Sequence, residues 1–169
     1  MNQQKPSHHP IPTKWGYFEA SLSSKGIVAL KFPRSKKAGV GRSHEKISRK
    51  MTQMVTSSFN RYLQTGQTNW KNVPIDKTSW SKTQKKVWEA LTRIPKGETR
   101  TYEWLAKRCG MPKGARAAGR ILGANPIPII YPCHRIVRKD GSLGGFSGGL
   151  NWKIKLLKHE QLNNSQRIF

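Results

Sequence analysis

A chain of 169 residues is long enough for one large hydrophobic core or two small ones. It carries 32 Lys and Arg against 8 Asp and Glu, a formal net charge of +24, which indicates a polyanionic partner, with nucleic acid first and an anionic membrane surface second. No apolar run reaches the length of a membrane span, and no histidine or cysteine spacing indicates a metal site. A basic bias of the whole source proteome is the alternative explanation of the charge.

The two cysteines bear on the compartment. No signal peptide is visible in the polar, proline-rich start of the chain. Both thiols are therefore expected to be free, in a reducing cytoplasmic or nuclear setting.

The first half predicts a small α/β unit. Residues 1–13 are polar and proline-rich, which indicates a loose tail. The partly alternating apolar residues of 15–22 and 26–32 predict a β-hairpin. Residues 44–63 repeat apolar side chains at helical spacing and are followed by Gly66 as a stop signal, which predicts a helix.

Short helices dominate the start of the second half. Ser81 begins one helix, and Thr101 can cap another over residues 102–108. After Gly110-Met111-Pro112 a further helix is predicted from about 113 to 122. Two short helices around a glycine-bearing turn resemble a helix-turn-helix, in which the second helix contacts nucleic acid.

The second helix of this pair has a basic face and a small-residue surface. Arg116 and Arg120 lie one turn apart on a face with Lys113, and Ala115 is one of several small residues that allow close approach. Basic residues at this spacing suit the phosphates along a groove. A solvated basic face is the alternative.

Residues 125–135 read Asn-Pro-Ile-Pro-Ile-Ile-Tyr-Pro-Cys-His-Arg. The three prolines exclude an α-helix and predict a stiff extended connector, and the isoleucines indicate that it is threaded through a core. Such a segment delivers Cys133 beside His134 with little freedom, as nucleophilic catalysis by cysteine requires. The alternative is a buried structural cysteine, which is the interpretation we give to Cys109 on an apolar helix face.

The chain ends in a strand, a glycine-rich loop and a helix. Residues 136–137 predict the strand, and 143–149 form the loop. A helix over 151–161 places Glu160 on or beside its apolar face. A carboxylate there needs a partner, since burying it unpaired is costly, and His134 is the expected one; solvation at the helix end is the alternative.

The run Pro132-Cys133-His134-Arg135, preceded by Asn125-Pro126-x-Pro128, resembles the active-site signature of the O6-alkylguanine-DNA alkyltransferases, which are suicide DNA-repair proteins. Further matches lie over roughly residues 81–161, in the family's order and spacing: Ile94-Pro95-x-Gly97, Thr101-Tyr102-x-x-Leu105-Ala106, Ala115-Arg116-Ala117-x-Gly119 and Leu156-Leu157-x-x-Glu160. We therefore expect an α/β domain over 1–76 and a mainly α-helical domain with a helix-turn-helix over 77–169, α+β overall.

The resemblance implies a role for each catalytic residue. Cys133 would accept the alkyl group, His134 would deprotonate it through an ordered water, and Glu160 would orient the imidazole. Adjacent side chains of an extended segment point apart, which also favours a bridging water. Tyr102 would hydrogen-bond the guanine edge and stabilise the departing guanine anion, and Arg116 would fill the base stack after base flipping.

The resemblance also implies a DNA surface and an alkyl pocket. The second helix would lie in the minor groove. Its expected DNA contacts are Tyr102, Lys113, Ala115, Arg116 and Arg120. The expected pocket residues are Asn125, Tyr131, Arg135, Phe146 and Ser147. Tyr131 stands where the family usually has a small aliphatic residue, and Phe146 stands where a tyrosine is common. The adduct preference therefore stays open.

The expected function is therefore a single-turnover methylated-DNA–protein-cysteine S-methyltransferase activity that repairs O6-alkylguanine in double-stranded DNA. We expect a monomer without metal, cofactor or membrane association. Repair of O4-alkylthymine and cooperative assembly on DNA stay open. One alternative is a non-catalytic helix-turn-helix protein that binds alkylated DNA, and another is a cysteine hydrolase, which needs oxyanion donors that the sequence does not identify.

Overall fold

The computed structural model of the chain describes residues 6–33, 48–66, 69–111 and 113–161. The chain divides into two compact units, Met1–Ser79 and Trp80–Phe169. An antiparallel sheet with a helix in the first unit and a mainly helical second unit confirm the α+β class. The expected domain boundary between residues 76 and 77 stays a prediction.

The first unit is built on a three-stranded antiparallel sheet in the order β1-β2-β3. Its strands are β1 Ser7–Thr13, β2 Gly16–Ser23 and β3 Gly26–Lys31. The predicted hairpin, β2 with β3, is confirmed. The loose tail predicted for 1–13 is wrong for residues 7–13, since β1 pairs with β2 along its whole length. An edge strand tolerates Pro10 and Pro12 because only one side of its backbone must pair.

One helix, α1 Arg49–Thr65, packs against β1. It ends at Gly66, whose left-handed backbone (φ 66°) lets its N–H bond the Tyr62 carbonyl at 2.6 Å. Its buried face comprises Val55, Phe59, Tyr62 and Leu63. The start predicted at 44–47 lies outside the described residues.

The second unit contains four α-helices and a two-stranded parallel sheet within its described part. The elements are α2 Lys82–Thr92, β4 Arg100–Thr101, α3 Tyr102–Arg108, α4 Ala115–Gly123, β5 Ile136–Val137 and α5 Leu150–Gln161. Local capping explains two helix starts. Ser81 and Gln84 form a capping box at α2, and the Thr101 hydroxyl accepts the Trp104 N–H at α3.

The pairing of β4 with β5 positions the site. Arg100 lies opposite Ile136 and Thr101 opposite Val137, in parallel. The start of α3 is thereby held beside the segment that follows Cys133. Helices α3 and α4 pack together as the predicted helix-turn-helix pair, and α5 packs on the 3-10 turn Cys133–Arg135. Within the described ranges, no helix is long and apolar enough to cross a bilayer.

Candidate active site

The proline-rich segment before Cys133 is a buried turn. The Tyr131 N–H donates to the Ile127 carbonyl at 3.1 Å, and Ile129 has a left-handed backbone (φ 78°). Ile127, Ile129 and Ile130 are buried, which confirms the prediction of a core-threaded segment. The predicted extended conformation is wrong, because the Asn125 side chain accepts the Ile127 N–H at 3.1 Å and closes the chain on itself.

The same asparagine contacts the nucleophile. Asn125 Nδ2 donates to Cys133 Sγ at 3.0 Å and to the Tyr131 carbonyl at 2.8 Å. Because Asn125 Oδ1 is engaged by the Ile127 N–H, the network determines which end of the amide faces the sulfur. The Cys133 N–H also donates to the Tyr131 carbonyl, at 2.7 Å. The sulfur is held in place by this turn.

Burial governs the protonation of the thiol. Cys133 is 5% exposed, and burial raises the pKa of its thiol to about 11, although the Asn125 hydrogen bond and the charge of Lys153 act in the opposite direction. The resting thiol is therefore protonated at neutral pH. A nucleophilic reaction of this sulfur needs a base.

A buried histidine and carboxylate follow the cysteine. His134 Nε2 lies 2.9 Å from Glu160 Oε1, and both side chains are fully buried. This confirms the predicted contact and excludes solvation of Glu160. Burial lowers the pKa of His134, so the imidazole is neutral. Burial alone would raise the pKa of Glu160, but the hydrogen bonds from His134 and Arg135 and the positive charge of Arg135 hold it well below its usual range.

These charges assign the tautomer. Glu160 is ionised and can only accept, so His134 Nε2 carries the proton and Nδ1 carries the lone pair. His134 Nδ1 is buried and makes no hydrogen bond within the described part of the chain. It is the imidazole atom that can accept a proton. The bridging water expected between His134 and Cys133 stays a prediction.

Arg135 supports the carboxylate from behind. Its Nε and Nη2 donate to the two oxygens of Glu160, each at 2.8 Å, and Nη1 donates to the Ile94 carbonyl at 2.6 Å. Arg135 is buried and is not among the residues that line the cleft, and its expected place in the alkyl pocket stays a prediction. A buried carboxylate beside a neutral imidazole needs a cation, and the bidentate guanidinium supplies it.

An open cleft of about 640 Å³ reaches the sulfur, a size typical of ligand-binding pockets. The predicted site residues that line it are Tyr102, Ala115, Arg116, Cys133, Phe146 and Ser147. They come from α3, α4, the 3-10 turn and the glycine-rich loop. Basic Arg138 and Lys139, in the turn after β5, also line it, and nothing in their spacing marked them beforehand.

The other predicted residues lie elsewhere. Lys113, two residues before α4, and Arg120 on α4 are both exposed and lie outside the cleft lining. Asn125 and Tyr131 are not among the residues that line the cleft, and their expected place in the alkyl pocket stays a prediction. Asn125 lies behind the sulfur, and the Tyr131 ring is buried edge-on against Trp80, with centroids 5.3 Å apart, because the turn directs it inward. Burial raises the pKa of Tyr131 to about 12.

Tyr102 is confined between α4 and the glycine-rich loop. Its ring lies near Gly119, and a Cβ on Gly144 would be 2.8 Å from its hydroxyl oxygen. The hydroxyl also lies 3.5 Å from the Gly145 carbonyl, a long contact. Burial raises the pKa of Tyr102, so the phenol stays protonated and can donate a hydrogen bond into the cleft. A Cβ at residue 144 would therefore force the Tyr102 side chain to shift, and the left-handed backbone of Gly144 (φ 65°) also favours glycine there.

A buried lysine was missed. Lys153 is fully buried on α5, seven residues before Glu160, and two helical turns place both residues on the same face. The spacing of seven residues between Lys153 and Glu160 is the sequence signal that could have identified this lysine as buried.

No group of three or more His, Cys, Asp or Glu side chains that could hold a metal ion occurs among the residues that the structure describes.

Similar proteins were found by sequence. Residues 82–162 match the family described as 6-O-methylguanine DNA methyltransferase, DNA binding domain. The chain is 38% identical over 156 residues to a methylated-DNA–protein-cysteine methyltransferase of Haemophilus influenzae, covering 92% of this chain and 86% of that protein. It is 51% identical over 80 residues to the protein of that name from Methanosarcina barkeri, covering 47% of this chain and 51% of the relative.

Solved structures agree with the sequence relatives. The crystal structure described as Mycobacterium tuberculosis OGT in complex with DNA aligns with a TM-score of 0.77 at 32% identity, covering 92% of this chain and 93% of that one. A crystal structure of Mycobacterium tuberculosis O6-methylguanine methyltransferase aligns with a TM-score of 0.76 at 30% identity, over 95% and 96% of the two chains. The chain therefore belongs to the methylated-DNA–protein-cysteine methyltransferase family.

Proposed function

We propose that this protein repairs DNA by transferring a methyl or larger alkyl group from O6 of guanine in duplex DNA to the sulfur of Cys133. The transfer occurs once per molecule, since the thioether formed is not reversed. The observation that supports this most is that Cys133 lines an open cleft and is followed directly by His134, a buried neutral imidazole that lies 2.9 Å from the ionised Glu160. The Haemophilus influenzae relative carries the name of such a methyltransferase.

The first step is removal of the thiol proton. His134 Nδ1 takes it, directly or through the expected water, and the imidazolium is stabilised by Glu160 at 2.9 Å. Arg135 keeps Glu160 ionised and fixed. The Asn125 amide at 3.0 Å donates to the sulfur and stabilises the thiolate as it forms.

The second step is the displacement. The thiolate attacks the alkyl carbon, the new S–C bond forms, the bond from that carbon to O6 breaks, and the purine leaves as an anion. The protonated Tyr102 hydroxyl can donate a hydrogen bond to this leaving group. No cofactor takes part in this sequence.

The base must leave the duplex to meet the sulfur. Cys133 is 5% exposed, so a base stacked in DNA cannot reach it. Arg116 is exposed at the edge of the cleft on α4, where it can occupy the gap left by a flipped nucleotide. The exposed side chains of Arg120 on α4 and of Lys113 just before it suit the flanking phosphates. The structure of the Mycobacterium tuberculosis relative was solved in complex with DNA.

The binding-only alternative is not favoured, because the relatives are named as cysteine methyltransferases and the present chain has cysteine at the nucleophile position.

We place the protein in the cytoplasm, or in the nucleus of a eukaryotic cell. Both cysteines are free thiols, which a reducing compartment preserves.

A stoichiometry experiment tests this function. The protein is mixed with a duplex that contains one O6-methylguanine, and the remaining adduct is measured by chromatography of the digested DNA. One adduct should disappear per protein molecule and no more. Cys133→Ala should bind the duplex and leave the adduct intact, whereas Cys109→Ala, which changes the other cysteine, should repair normally. Multiple turnovers, or repair by Cys133→Ala, would contradict the proposal.

A further inference from the structure

Three aromatic side chains of the second unit pack together next to the segment that leads to Cys133. Trp80 directly precedes the N-cap of α2, Trp88 lies on α2, and Tyr131 is two residues before the nucleophile. The Tyr131 ring centroid is 5.3 Å from that of Trp80 and 6.2 Å from that of Trp88, and the two tryptophan centroids are 6.5 Å apart. All three side chains are buried, and we call them the aromatic cluster.

The backbone of Tyr131 holds the groups around the sulfur. Its carbonyl accepts the Cys133 N–H at 2.7 Å and the Asn125 side-chain amide at 2.8 Å. The same Asn125 nitrogen donates to the Cys133 sulfur at 3.0 Å. A shift of this carbonyl would therefore move the backbone of the nucleophile and the hydrogen-bond donor on its sulfur together.

Local preference alone does not keep the turn in this conformation. Ile129 has a φ of 78°, a left-handed backbone that is unfavourable for a β-branched residue. Such a conformation persists only where surrounding contacts enforce it. The Tyr131 ring makes such contacts two residues later, against α2 and the residue before its cap. The start of α2 is itself fixed by the capping box.

Filling of the core is the alternative explanation of the aromatic cluster. Rings that only fill space would change the stability of the fold and leave the chemistry of the folded protein as it is. The position of Tyr131 favours a link to the chemistry, because the residue that contributes the ring also contributes the carbonyl bonded to Cys133 and Asn125.

We propose that Tyr131 is a positioning residue of the alkyl transfer. Its ring, packed against Trp80 and Trp88, fixes the Tyr131 carbonyl, and this carbonyl holds the Asn125 amide against the Cys133 sulfur. The role in alkyl transfer rests on the proposed function. The link from the ring to the groups around the sulfur does not, and it can be measured without an alkylated substrate.

Reaction with free O6-benzylguanine separates positioning from binding. Tyr131→Leu should lower the rate constant at saturation roughly tenfold or more, since a small displacement of a reacting group is costly. The half-saturating concentration should hardly change, because Tyr131 does not line the cleft. Tyr131→Phe keeps the ring and should restore the normal rate constant. An unchanged rate constant in Tyr131→Leu, or an equal loss in Tyr131→Phe, overturns the proposal.

Phe59→Leu is the matched control for the loss of a buried ring. Phe59 is fully buried in the first unit, with its centroid 5.0 Å from that of Trp70, and no residue of the candidate active site belongs to that pair. The folded variant should react at the normal rate. If it slows as much as Tyr131→Leu, the effect follows from the loss of any core ring and the proposal is overturned.

A double substitution tests the route through Asn125. Asn125→Ala removes the amide that the Tyr131 carbonyl holds. In that background, Tyr131→Leu should slow the reaction by a clearly smaller factor than it does alone, because the two residues act through one contact. Equal factors in both backgrounds overturn this route.

Hydrogen exchange of backbone amides, followed by NMR, needs no substrate and also serves if Tyr131→Leu does not fold. Trp80→Leu removes the ring next to Tyr131 and leaves the sequence of the turn intact. The Cys133 amide should exchange about tenfold faster in this variant through local opening, whereas the amide of Leu156, inside α5, should keep its rate. An unchanged rate at Cys133, or equal acceleration at both amides, overturns the proposal.

Repair of an O6-methylguanine duplex is measured on the same samples to separate two failures. If the unchanged protein transfers no alkyl group from either substrate while Trp80→Leu accelerates exchange at Cys133 alone, the proposed function fails and the link from the aromatic cluster to the sulfur stands. If the protein repairs and Tyr131→Leu repairs equally fast, the role of Tyr131 in the transfer is excluded.

Discussion

Asn125 donates one side-chain amide group both to the Cys133 sulfur, at 3.0 Å, and to the Tyr131 carbonyl, at 2.8 Å. The Asn125 side chain therefore supports both the turn at residues 125–132 and the nucleophilic sulfur of Cys133. Folding of this segment and reactivity of the sulfur should change together when the amide is altered.

Asn125→Asp tests this coupling with almost no change of shape. A carboxylate has no donor for the sulfur and adds a negative charge beside it, so the pKa of Cys133 should rise and its reaction with iodoacetamide at neutral pH should slow by at least about tenfold. Loss of the buried hydrogen bonds should also lower the free energy of unfolding by about 1–3 kcal/mol. Urea unfolding and thiol alkylation measure the two effects, and an unaltered alkylation rate argues against the role given to Asn125.

Glu160→Gln tests the buried carboxylate through stability. It leaves the Arg135 guanidinium buried without its anion, so the free energy of unfolding at neutral pH should fall by about 3–5 kcal/mol. Glu98→Gln is the matched control, because Glu98 pairs with Arg100 in a half-exposed position and should change stability by less than about 1 kcal/mol.

The pH dependence of Glu160 has a definite sign. Its folded-state pKa lies below the ordinary value of 4.5, so its contribution is fully present above about pH 4.5 and is lost as the pH falls further. The unchanged protein should therefore lose stability steeply on acidification through that range, and Glu160→Gln should lose much less. Equal slopes in urea unfolding for both proteins would contradict the ion-pair assignment.

Local signals explain which parts of the second unit were predictable. Ser81 and Thr101 cap their helices through side chains three residues from their partners, so the sequence alone shows these starts. The contact of Glu160 with His134 was predictable because helical periodicity puts the carboxylate on an apolar face, and burial then demands a partner.

Non-local pairing explains the errors. The strand at residues 7–13 is stabilised by its neighbour β2 and carries two prolines that a local pattern interprets as a tail. The strands β4 and β5 have two residues each, too few for any alternation to show. The turn at 125–132 depends on the left-handed backbone of Ile129, which is rare for a β-branched residue and invisible to periodicity.

Gly144→Ala tests the fit of Tyr102. Gly144 and Gly149 both have a left-handed backbone, with φ 65° and 92°, so alanine strains either position. Only at Gly144 does the added Cβ meet the Tyr102 hydroxyl, at 2.8 Å, whereas Gly149 has open space. Reaction with free O6-benzylguanine should therefore slow more in Gly144→Ala than in Gly149→Ala. Equal rates for the two variants would remove the steric argument.

Arg116→Ala separates base extrusion from chemistry. Arg116 lines the cleft from α4, the helix that we propose contacts DNA, so its loss should slow duplex repair by about tenfold or more, since base unstacking takes a few kcal/mol. Reaction with free O6-benzylguanine, which needs no extrusion, should hardly change. Arg120→Ala, outside the cleft lining, should instead weaken binding and reduce its salt dependence by about one phosphate contact. Equal losses on both substrates for Arg116→Ala would exclude the extrusion role.

The most direct measurement is the mass of the protein after exposure to a duplex containing O6-methylguanine, followed by peptide mapping. We expect a gain of one CH₂ unit on the peptide that carries Cys133, because a methyl group replaces the thiol proton. An unchanged mass, or a gain on the Cys109 peptide, would contradict it.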